Sequence, residues 1–227
     1  MECDFIAIPE GRFRMGQEDG RDEERPVHQV SVGPFLLARF QVTNADYDQF
    51  VRSSGHEAPP FRRQPEFSLP EQPVVGVSWF DAVSYCDWLA ERLARPCRLP
   101  TEAEWEWAAR GGIEGALYPW GDEPVFERER YRDRWRDGPE PAGTSAPNGY
   151  GLSDMCENVH EWCSDWYDPA YYTISPEHDP RGPEVGTRRA SRGGSWRHHI
   201  KIARCAARSS IPPEFRYADY GFRVAAG

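Results

Sequence analysis

The sequence has no excess of positive charge: 27 Lys and Arg stand against 37 Asp and Glu, a formal net charge of −10. A surface that neutralises phosphate needs the opposite balance, which excludes nucleic acid and an anionic membrane as partners. There is no apolar run of the roughly 20 residues that span a bilayer. The opening MECDFIAIPEGRF shows no cationic stretch leading into an apolar one, so the chain reads as cytoplasmic, without membrane contact. No CxxC spacing occurs among Cys3, Cys86, Cys97, Cys156, Cys163 and Cys205, and in a reducing compartment the default is free thiols. No Ser/Gly/Pro-rich linker divides the text, so residues 1–227 read as a single domain.

Glycine and proline are plentiful, 20 and 21 residues, which cuts the periodic segments short and predicts much irregular structure on a small regular frame. Three helices can be placed. In VTNADYDQFVRSSG, Thr43 is a cap with Asp46 three residues on, Tyr47, Phe50 and Val51 form the apolar stripe, and Gly55 ends it. In VSWFDAVSYCDWLAERLARP, Ser78 and Asp81 begin a run closed by Pro96. In LPTEAEWEWAARGG, Thr101 and Glu104 form a capping box and Gly111 is the stop. Strands are expected at FIAIP, HQVSV, FLLARF and the final GFRVAAG, the last pairing with the first. Residues 112–190 read as loops, and loops of that length carry function or need a staple.

Within them GLSDMCENVHEW packs Asp154, Glu157, Asn158, His160 and Glu161 among apolar residues. An acidic loop of this kind is a cation site, an active site or a solvated turn.

The phrases FRMG, EERPVHQVSV, VTNADYDQF, PVVGVSWFDAVSYCDWL, RLPTEAEWEWAARGG, YPWGDE, PNGYGLSDMCENVHEW, RGGSW and YGFRVA stand in an order that resembles the formylglycine-generating enzyme, or sulfatase-modifying factor, family along the whole chain. The resemblance implies an α+β, C-type-lectin-like fold: small antiparallel sheets, two or three helices, much loop, and bound calcium. It places calcium on the side chain of Asp154, the backbone carbonyls of Glu157 and Val159, and the carboxylate of Glu161. The family's other calcium loop is short and Arg-rich here. Asp133 and Asp137 could give oxygens, but Arg130 stands where an Asn is expected, so no ion is assigned to it.

The resemblance also locates what is missing. Enzymes of the family hold copper(I) on two cysteines that follow RGGS five residues apart, a demand for soft thiolates. Here RGGSW leads into RHHIKIARCAARSS, with His198 at the first cysteine's place and Ala203 at the second's. Cys205 alone cannot rebuild a two-thiolate site. Conversion of a sulfatase cysteine is therefore not expected, and no catalytic residue is assigned unless His198, with His199 and His160, holds a different metal in a divergent oxidoreductase. Adjacent strand residues face opposite sides, so His198 and His199 share an ion only across a turn.

Some members resemble variable proteins of diversity-generating retroelements, whose randomised positions derive from AAY codons. Arg204, Arg208, Arg216 and Gly221-Phe222-Arg223 look like fixed scaffold. Between them Arg197, His198, His199, Cys205, Ser209, Ser210, Ile211, Phe215, Tyr217, Ala218 and Asp219 could each be encoded by a codon ending in a pyrimidine. The expectation is a binding surface at residues 197–219 for a protein or small-molecule ligand, because Arg and aromatics on a rigid frame supply most interface energy.

Overall fold

The computed structural model describes residues 3–123, 138–199 and 202–227. Its helices form where the caps dictate. The α1 helix (Asn44–Ser54) starts at Thr43, whose hydroxyl accepts from the Asp46 N–H while the Asp46 carboxylate accepts from the Thr43 N–H. The same reciprocal box opens α2 (Trp79–Leu93) with Ser78 and Asp81, and α3 (Glu102–Arg110) with Thr101 and Glu104. Each box satisfies donors that would otherwise be orphaned in the first turn, and such caps contribute about 1 kcal/mol. Gly55 and Gly111 end α1 and α3 in the left-handed region. The α2 helix ends before Pro96 does its work, at Ala94 with φ 50°.

Among the described residues ten short strands complete the frame: β1 (Phe5–Ile8), β2 (Gly11–Met15), β3 (His28–Val32), β4 (Phe35–Ala38), β5 (Cys97–Arg98), β6 (His160–Trp166), β7 (Arg189–Arg192), β8 (Arg208–Ile211), β9 (Tyr220–Gly221) and β10 (Ala225–Ala226). The order of one sheet is β1-β4-β10-β5, of a second β2-β3, and of the third β8-β7-β6-β9. The expected pairing of the last strand with the first is corrected: β10 pairs with β4 and β5, and β4 stands between it and β1. Not every pair is antiparallel either, because β9 runs parallel to β6.

The two largest hydrophobic clusters among the described residues hold these layers together. One packs α1 and α2 onto the sheet through Tyr47, Phe50, Tyr85, Leu89, Trp162 and Phe222, with Tyr47 stacked on Tyr85 at 5.7 Å. The other sets α3, through Trp105, Ala108 and Ala109, against Leu37, Met155, Cys163 and Cys205. Each large side chain so buried adds roughly 1.5–3 kcal/mol of transfer free energy.

Charge is buried between the elements as well. Glu102 and Glu106 on the inward face of α3 meet Arg192 of β7, Arg208 of β8 and Arg110 at 2.7–3.0 Å. Buried charge is tolerated when it is paired and hydrogen-bonded. These pairs lock the third sheet onto α3 and so fix the floor of the candidate site.

Candidate functional site

The start of β6 and the residues around β9 share one rung: the His160 N–H donates to the Asp219 carbonyl at 2.8 Å. From β7 the chain turns through Gly193 and Gly194, both left-handed, with φ 96° and 68°. A Cβ on Gly194 would stand 2.4 Å from the Ala203 Cβ, so only glycine fits this turn. The turn lays Trp196–His199 over the beginning of β6. His198 then comes edge-to-face against His160, ring centres 5.0 Å apart, while His160 stacks on Tyr220 at 4.7 Å.

His160 is 6 % exposed. Burial and the neighbouring His198 push its pKa down to about 3, against a hydrogen bond to the Arg192 backbone that works the other way. Its Nδ1 has no hydrogen-bond partner among the described residues. The Asp219 carboxylate, also buried, accepts from the Ser195 hydroxyl at 3.0 Å and has the Arg197 guanidinium 3.7 Å away. One ligand atom each from His160, His198 and Asp219 lies within 4.8 Å of the others.

Beside this group is a cavity of about 180 Å³, lined by His160, His198, Gly193, Gly194, Ile202, Ala207, Ser209, Arg21, Arg192 and Arg208. Arg192 and Arg208 are already neutralised by Glu102 and Glu106. A larger cavity of about 440 Å³ is lined by Gly33, Arg98, Thr101, Glu104, Asp179 and Arg181. There Arg98 and Glu104 are bonded to each other at 2.6 Å and serve the cap of α3.

The structure divides the expected ligand surface. His198 and Ser209 line the cavity. Arg197, His199, Phe215 and Tyr217 are exposed, and Ser210 is half-buried beneath Arg188. Four of the expected residues are corrected because they face inward. Cys205 has no exposed surface and sits with its sulfur 3.8 Å from that of Cys156. Ile211 packs into the core around Trp162, and Ala218 packs against Val75, Val159 and Trp196. Asp219 turns towards His160 and is 6 % exposed. The grouping His198, His199 and His160 is corrected too: His199 stays outside, and Asp219 completes the trio.

Asp154, Glu157, Val159 and Glu161 are all buried in one loop, which carries Asp154, Cys156 and Asn158 at φ 61°, 69° and 72°. Left-handed geometry costs a non-glycine residue roughly 1–2 kcal/mol, and here it is compensated by hydrogen bonds. Asp154 accepts from the Gly143 N–H and from both the N–H and hydroxyl of Ser145. Glu161 accepts four: Arg223 Nε and Nη2, Trp105 Nε1 and Gln41 Nε2, at 2.7–2.9 Å. The Gln41 Nε2 bridges Glu161 to the Glu157 carbonyl, 3.3 Å away. Calcium needs six or more oxygens turned to one point. Here the Gln41 amide nitrogen stands between two of the expected ligands and the Arg223 guanidinium pairs with the Glu161 carboxylate, so the loop as folded is closed by protein donors. Arg130, Asp133 and Asp137 lie outside the described residues.

The sequence matches the sulfatase-modifying factor enzyme 1-like domain over residues 1–227. It is 38% identical to a formylglycine-generating enzyme of Thermomonospora curvata over 288 aligned positions, covering 98% of this chain and 93% of that protein. The fold superposes on PvdO from Pseudomonas aeruginosa with a TM-score of 0.86 at 27% identity, covering 98% and 93% of the two chains. It also superposes on Treponema denticola variable protein 1 with a TM-score of 0.84 at 25% identity, covering 98% and 94%. The chain belongs to the sulfatase-modifying factor family, on the fold of the formylglycine-generating enzymes.

Among the described residues no helix is long and apolar enough to cross a membrane.

Proposed function

We propose that this member of the family is a binding protein that takes a small-molecule ligand in the cavity between β7, β8 and the turn at Gly193-Gly194. The observation that carries this reading is that His160, His198 and Ser209 line one cavity, while Cys205, Ile211, Ala218 and Asp219 are withdrawn from the surface. What remains is a partly open pocket lined by polar groups, and concave sites of that kind are where small ligands bind. The sulfatase-modifying chemistry of the relatives does not carry over, because His198 and Ala203 stand where that chemistry needs thiolates.

A second reading, recognition of a protein, is favoured by Phe215 and Tyr217, exposed by 41 % and 43 %. Thermal-shift screening of small molecules on the whole chain and on Ala207→Phe, which fills the cavity, separates the two. Hits that stabilise the parent and not the filled variant support the pocket. Hits equally strong on both, or sensitive only to Tyr217→Ala, would sink it.

A further inference from the structure

We propose that His160, His198 and Asp219 bind a divalent transition metal, as a two-histidine, one-carboxylate site at the mouth of the cavity. The inference concerns the same cavity as the binding reading but stands on different observations.

The first is the donor set. Imidazole with one carboxylate suits iron(II), zinc and their neighbours, whereas calcium and magnesium prefer all-oxygen sites. Two histidines and one carboxylate on one face of an ion is the usual holder of non-haem iron(II), with the remaining positions open. Since both imidazoles line the cavity, the positions they leave open face it.

The second observation is the state of His160. Its Nδ1 is buried with no hydrogen-bond partner among the described residues. A buried ring nitrogen without a hydrogen bond carries an uncompensated desolvation cost. A ring nitrogen that no protein group occupies is what a metal-binding histidine keeps for its ion. Asp219 is prepared likewise, one oxygen held by the Ser195 hydroxyl at 3.0 Å.

The third is placement. His160 and Asp219 are joined through their backbones on one rung, so their spacing is fixed by the sheet. His198 is half-buried and follows the glycine turn. Ligand atoms around an ion with 2.1 Å bonds stand roughly 3–3.5 Å apart, and the three ligand atoms already lie within 4.8 Å of one another.

The test uses the full chain freed of metal with a chelator, then titrated anaerobically with iron(II), and separately with cobalt(II) and zinc(II), by calorimetry and by cobalt absorption. The expected result is one ion per chain. His198→Ala and Asp219→Asn should each lower affinity by at least tenfold to a hundredfold, while the melting temperature of the metal-free His198→Ala chain stays at the parent's value. Cobalt should also shift and broaden the ring proton resonances of His160 and His198. A stoichiometry near zero, or parental affinity in both variants, overturns the site, and so does displacement of cobalt by equimolar calcium. Small-molecule hits in the cavity that persist in metal-free protein, with no ion bound, would overturn the metal and leave the binding reading standing. One ion bound with no cavity hits would do the reverse.

Discussion

Replacing Glu161 by Gln asks whether the acidic loop is closed by protein donors or by an ion. Both carboxylate oxygens serve Arg223, and both residues have no exposed surface. The Gln amide offers one acceptor in place of two and no charge, so the Arg223 guanidinium is left buried and uncompensated. Breaking a buried pair by removing one partner costs about 3–5 kcal/mol. For a chain of this size each kcal/mol moves the melting point by about 2–4 °C, so the expected fall is roughly 6–20 °C.

Scanning calorimetry with and without calcium provides the second half of the experiment. An ion bound at a thousandfold excess over its dissociation constant adds about 4.1 kcal/mol, which corresponds to roughly 8–16 °C on the same scale. A loop already closed by Gln41 and Arg223 should respond to calcium by less than about 1 °C, because an ion would have to displace both from Glu161. A rise of several degrees in the parent that disappears in Glu161→Gln would refute the reasoning and return calcium to this loop.

Two further outcomes follow from single residues. Burial and the nearby Glu102 carboxylate push the pKa of Asp165 up to about 7. The folded chain then holds a proton that the unfolded chain releases near the usual carboxylate value, so Asp165 stabilises least at high pH. Between about pH 4 and 7 its contribution falls by up to roughly 1.4 kcal/mol per pH unit. Denaturant melts across that range should show a stability difference between parent and Asp165→Asn that changes with pH, and a constant difference would count against the raised value. Ser78→Ala removes the hydroxyl that caps α2 at Asp81 and should cost about 0.5–2 kcal/mol in the same assay. No loss would mean that α2 is held by packing alone.

Helix starts were the most legible feature, because a cap is local: Thr43, Ser78 and Thr101 need only the carboxylate three residues on. The β6 strand was not legible. HEWCSDW is buried on both faces over most of its length, so no alternation marks it, and its acidic residues read as loop. Nothing local marks Glu102 and Glu106 as inward-facing, since Arg208 and Arg192 lie 106 and 86 residues away. The candidate site was legible in part: His160 and His198 were grouped, but Asp219 was read only as ligand surface. His160, His198 and Asp219 meet only because β9 joins β6 in parallel and the glycine turn folds over both, facts of topology that no local pattern records. The four inward residues of the expected surface were misplaced for a related reason: codon class says nothing about which side of a strand a residue faces.

The arginines from Arg192 to Arg223 tie the last third of the chain to earlier elements at widely separated points. Arg204 grips Glu24, Arg208 grips Glu102, Arg216 grips Asp81 and Arg223 grips Glu161. A segment pinned in this way, with Cys205, Ile211 and Ala218 packed inward, depends little on its exposed side chains for its path. Selection can exchange Arg197, His199, Phe215 or Tyr217 without renegotiating the fold, as a peg-board accepts new hooks. For an engineer, those four positions are where a combinatorial library could be written into this molecule at low risk to the architecture beneath it.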